Sequence, residues 1–89
     1  MNETYENPVV DPRIHQRHPE LTDDDVRAAW HAKLLVGPRR PNGDWASIGL
    51  DGNGRLLEMV ATIDGNGNFL IFHAMIPPSE RTLKEVRAY

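Results

Sequence analysis

The tetrapeptide Asp-Gly-Asn-Gly occurs twice, at Asp51 to Gly54 and at Asp64 to Gly67, each time between apolar runs. Asn-Gly supplies the two positive-φ residues of a type I′ turn, the strongest short hairpin signal. With Asn53-Gly54 and Asn66-Gly67 as turn centres, the register of three strands follows by counting. Leu50 then faces Leu57, Ile48 faces Met59 and Ala46 faces Ala61. Across the second turn Ile63 faces Leu70, Ala61 faces Phe72, Met59 faces Ala74 and Leu57 faces Ile76. All are apolar, and side chains alternate with period two, so the expectation is one buried face. The opposite face is mixed and carries Trp45, Glu58, Val60, His73 and Met75.

A helix is expected before this sheet. Thr22 suits an N-cap, and Asp23, Asp24 and Asp25 fill the first turn, where the helix dipole favours negative charge. Val26, Ala29, Trp30, Lys33 and Leu34 fall on one stripe, with Trp30 as its anchor and Gly37-Pro38 as its end. After Pro77-Pro78, Ser79 can cap a short final helix through Val86. Residues 1–12 are polar and aperiodic and read as a flexible arm, leaving 13–89 as a single domain. The expected fold is α+β: a small antiparallel sheet of three to four strands with two type I′ hairpins, packed against an N-terminal helix, with a short C-terminal helix.

Eighty-nine residues suffice for one core. The absence of cysteine excludes a disulfide framework and a thiolate metal site. No stretch approaches the ~20 apolar residues of a membrane span, so a cytoplasmic protein with no membrane partner is expected. Net charge is −3, yet eight of the ten basic residues are arginine. Such a chain binds a polyanion only if its basic residues gather on one face.

His73, mid-strand opposite Val60 and diagonal to Glu58, has the placement of a general acid or base; a half-exposed strand histidine without a role has the same pattern. Arg13, His15, Arg17 and His18 can bind phosphate or form an ordinary solvated surface. His15 and His18 supply only two of the ligands a zinc site needs. A calcium loop begun at Asp51 or Asp64 places Leu56 or Phe69 where glycine is required, so both are plain turns. Trp45 and Met75 can stack a base or be partly buried.

Three segments, in order, resemble the BrnT-type toxins, whose fold is RelE-like. Arg17-His18-Pro19-Glu20-Leu21-Thr22-Asp23-Asp24-Asp25-Val26 is similar to the approach to their first helix. Trp45-Ala46-Ser47-Ile48-Gly49-Leu50 with Gly54 to Val60 resembles their middle hairpin. Phe72-His73-Ala74-Met75, Ser79-Glu80-Arg81 and the terminal Tyr89 resemble their last strand and C-terminal segment. Related toxins often carry Ser-Ala-Arg where this chain has His73-Ala74-Met75. The resemblance implies the bacterial toxin half of a type II toxin–antitoxin pair, cleaving RNA without a metal or other cofactor by 2′-hydroxyl attack. Its implied partners are a cognate antitoxin and RNA, free or ribosome-associated. The implied catalytic residues are His73, Arg55, Arg81 and His18, with Trp45, Arg13, Arg17 and Glu58 as substrate-binding candidates. The alternative is a non-catalytic protein-interaction module on the same scaffold.

Overall fold

The computed structural model describes residues 3–88, with side chains from residue 5 onward. Met1, Asn2 and the terminal Tyr89 lie outside the described residues. The chain folds as α+β, with the order α1 (Glu3–Glu6), β1 (Val9–Val10), α2 (Arg13–Arg17), α3 (Asp23–His31), β2 (Lys33–Val36), β3 (Trp45–Leu50), β4 (Leu56–Ile63), β5 (Phe69–Met75) and α4 (Glu80–Arg87). The strands form one open mixed sheet in the order β1-β5-β4-β3-β2. Its central pairs are antiparallel, and β1 joins β5 in parallel. The sheet therefore exceeds the expected three to four antiparallel strands by taking short segments onto both edges.

Both turns differ from the expected type I′. Gly54 has φ 78° and Gly67 φ 80°, while no non-glycine residue has positive φ among the described residues, so Asn53 and Asn66 do not take the type I′ conformation. Gly54 N–H donates to Asp51 O, and Asp51 N–H to Arg55 O. This is a three-residue loop: a type I turn closed by a left-handed glycine. The aspartate selects it, because Asp51 Oδ1 accepts the N–H groups of Asn53 and Arg55. Asp64 does the same for Asn66 and Asn68.

The longer loop moves the ladder by one residue. Ala46 pairs with Val60, Ile48 with Glu58 and Gly49 with Leu57, against the expected partners Ala61, Met59 and (for Leu50) Leu57. The single buried face is thereby corrected to two. Leu57, Met59, Ala61, Ile71 and Ala74 pack with Val26, Ala29 and Trp30 of α3, whereas Ala46, Ile48 and Val60 pack with Val86 of α4. Leu57 to Ala61 are all buried because helices cover both faces of β4.

The second hairpin begins in the shifted register, with Ile63 opposite Phe69 and Ala61 opposite Ile71. An irregularity between Val60 and Ala61 then inserts Phe72 as an extra residue, and the ladder resumes with Val60 opposite His73 and Met59 opposite Ala74. The expected Met59–Ala74 pair is present; the Ala61–Phe72 and Ile63–Leu70 pairs are replaced.

Thr22 and Asp25 form a reciprocal capping box on α3. The helix ends at His31, earlier than Gly37-Pro38, and Lys33 and Leu34 belong to β2. The open edge of β3 offers this Lys-Leu-Leu-Val segment backbone partners, a tertiary gain that helical spacing does not register. Lys33 Nζ still reaches back, donating to Trp30 O and lying 3.7 Å from the centre of its ring. The stretch read as an arm packs on the domain: Pro8 and Val10 are buried, and Trp30 Nε1 donates to Tyr5 O.

Candidate active site

The inserted residue decides what β5 presents to the α4 side. Phe72 packs against the cluster of Ala46, Ile48, Val60 and Val86, and its neighbour His73 reaches Glu58 on the same side. His73 Nε2 lies 2.8 Å from Glu58 Oε2. The other carboxylate oxygen accepts Ser79 N–H at 2.9 Å and Ser79 Oγ–H at 2.8 Å. Ser79 thus serves twice, because its Oγ also caps α4 by accepting Thr82 N–H. The Glu58 side chain is 7% exposed and that of His73 30%.

Burial pushes the Glu58 carboxyl up, but the bonds from Ser79, His73 and Thr82 outweigh it and hold the group below its usual range. An ionised carboxylate only accepts, so His73 Nε2 carries the shared proton. Nδ1 makes no hydrogen bond among the described residues. Glu58 thereby fixes the orientation of the His73 ring.

Two cavities meet at His73. One, about 250 Å³, is lined by Glu58, Val60, His73, Ser79, Thr82, Arg40 and Arg81. Arg40 comes from the β2–β3 turn and is clamped by two bonds to Glu85 of α4, at 2.9 and 2.7 Å. The other, about 110 Å³, lies between α2 and β5 and is lined by Arg13, Ile14, Arg17, His18, Phe72, His73 and Ala74. It exists because β1 pairs only with Leu70 and Ile71, leaving the later part of β5 to be flanked by α2. Arg13 is bound to Asp11, and His18 lies 3.4 Å from Glu20. Arg17 and Arg81 make no salt bridge or hydrogen bond among the described residues.

Six of the eight residues singled out in the sequence therefore gather around this pair of cavities: His73, Glu58, Arg81, Arg13, Arg17 and His18. Arg55 does not. Its guanidinium is held by Asp51 at 2.7 Å and Asp25 at 3.2 Å, tying the first hairpin loop to α3, and it lines neither cavity. Trp45 is also elsewhere: it packs on Phe69 against the α3-side core, so the shifted register separates it from Met75. His15 bonds Leu21 O and Asp23, linking α2 to α3.

Arg40, Thr82 and Glu85 are additions that the sequence reading missed. Arg40-Pro41-Asn42-Gly43 repeats the turn chemistry of the hairpins, with Gly43 at φ 94° donating to Arg40 O, and that repetition was the available signal. Among the described residues no group of three or more histidines, aspartates or glutamates is placed to hold a metal ion, and no helix is long and apolar enough to cross a membrane. Comparison with protein-family models, curated proteins and solved structures gives no match to this chain.

Proposed function

We propose that this chain is a ribonuclease of the toxin type, cleaving RNA without a metal and neutralised by a partner protein. The observation that carries this reading is the His73–Glu58 pair between two arginine-lined cavities. In RNA the nucleophile is already part of the substrate, so the protein must supply only proton transfer and charge stabilisation. The 2′-oxygen bonds to the adjacent phosphorus as its proton leaves, and the bond from phosphorus to the 5′-oxygen breaks as that oxygen gains a proton. His73 Nδ1 takes the 2′-hydroxyl proton and delivers it to the departing 5′-oxygen, Glu58 holds the ring through Nε2, and Arg81 offsets charge on the phosphoryl oxygens. The products are a 2′,3′-cyclic phosphate and a 5′-hydroxyl end.

The test is induced expression of the wild type and His73→Ala in bacteria, with total RNA followed over time. Growth arrest with RNA loss in the wild type only is expected. Full growth with abundant, folded wild-type protein overturns the reading.

The interaction-module reading also has support. Leu34, Leu35 and Val36 on the edge strand β2 are 59%, 40% and 39% exposed, and an open edge accepts a partner's strand. Leu35, exposed on that edge, is its test position. Loss of partner capture in Leu35→Lys, with His73→Ala unaffected in both capture and growth, would favour the module over the nuclease.

A further inference from the structure

We infer that the cavity between α2 and β5 is a second phosphate subsite, so that the substrate is single-stranded RNA with at least two consecutive phosphodiesters. The inference rests on the ribonuclease reading. It starts from the position of His73, which lines both cavities and forms the boundary between them. On the α4 side Glu85 pairs with Arg40 and the Glu58 carboxylate is taken up by Ser79 and His73, so Arg81 has no ion pair among the described residues. On the α2 side Arg13 is neutralised by Asp11, leaving Arg17. Each cavity thus has one such arginine among the described residues, with the imidazole between them.

A dinucleoside monophosphate has one internal phosphate to offer and can engage only one arginine beside the histidine. A longer strand places its scissile phosphate at His73 and Arg81 and the neighbouring phosphate at Arg17. The α2 cavity, about 110 Å³, has room for a phosphate in place of several waters. Its rim is polar except for Ile14, Phe72 and Ala74, which suits a backbone contact better than the stacking of a base. Strand length would therefore be sensed through phosphate count, independently of base identity.

The experiment uses the full chain with fluorescein-labelled 2′-deoxy oligonucleotides, which cannot be cleaved by 2′-attack, and reads anisotropy at several salt concentrations. A tetranucleotide is expected to bind more tightly than a dinucleotide. Arg17→Ala should weaken the tetranucleotide about tenfold, the loss of one charge-assisted contact. Its salt slope should become shallower by about 0.7, the single-strand value for one phosphate. Arg87→Ala, outside both cavities, controls for general loss of charge. Equal affinity for the two lengths, or equal weakening by Arg17→Ala and Arg87→Ala, overturns the subsite. Cleavage of the matching ribo-oligonucleotides separates the two ideas. Length-dependent binding without cleavage retains the subsite and removes the nuclease. Equal kcat/KM for dinucleotide and tetranucleotide retains the nuclease and removes the subsite.

Discussion

Gly49 shows how tightly one residue can constrain this fold. A Cβ built there would lie 2.0 Å from Ala29 O and 2.8 Å from the Ala29 carbonyl carbon, so the backbone of α3 rests directly on β3. The atoms met belong to a helix, which cannot yield as a flexible side chain would. Gly49→Ala should cost roughly 2 kcal/mol or more, measurable by urea denaturation. A loss below about 0.5 kcal/mol, the ordinary range for a surface change, would show that α3 moves freely over the sheet. Glu58 carries the opposite lesson. In Glu58→Gln the amide oxygen can still accept both Ser79 donors, but the amide N–H group then faces the His73 Nε2 proton, so the ring must change tautomer or turn away. The expected cost is about 1–3 kcal/mol of stability, read by urea denaturation.

At the scale of elements, the hairpin loops make a separable prediction. Gly54 has positive φ and Asn53 does not. Gly54→Ala should therefore cost about 1–2 kcal/mol, and Asn53→Ala only a few tenths. Comparable losses at both positions in thermal denaturation would restore the type I′ turn. These loops also explain what could be read from the sequence. That Asp51 to Gly54 and Asp64 to Gly67 turn the chain was legible, as were the N-caps at Thr22 and Ser79. The loop length was not, because Asn-Gly and Asp-x-x-Gly overlap in the same tetrapeptide and specify turns differing by one residue. An apolar-versus-apolar count cannot arbitrate when both faces of β4 are buried. The closeness of His73 and Glu58 was legible because both lie on a ladder segment where the Phe72 insertion returns the register to the expected one. That Arg55 lies apart from these two was not legible, because a motif match carries no information about its carboxylate partners, Asp51 and Asp25.

For the whole molecule, charge placement sets a pH optimum of stability. Asp51 and Glu58 are lowered from ordinary values of 3.8 and 4.5: burial raises both, and their hydrogen bonds outweigh it. Glu85 is lowered by the Arg40 clamp. Groups lowered in the folded state stabilise it above their unfolded values, and that contribution disappears as pH falls through the folded ones. His15 runs the other way. Its bonds to Leu21 O and Asp23 raise it above 6.5, so its contribution is complete below that value and is lost as pH rises through the raised one. Stability should peak between about pH 5 and 6.5. Melting temperatures across pH should decline on both sides, with a shallow alkaline limb because His15 and Asp23 are 35% and 47% exposed. His15→Gln should flatten the alkaline limb alone; an unchanged limb would assign it to another group.

The division of the sheet into two faces has a spectroscopic consequence. Trp30 and Trp45, the chain's only tryptophans, both pack on the α3 side, whereas His73 and Glu58 meet on the side of α4. Indole emission is therefore a reporter of whether α3 is docked, and nearly blind to what occupies the cavity beside α4. An unfolding curve followed by fluorescence will be sharp, while filling of that cavity by any ligand will leave indole emission nearly unchanged.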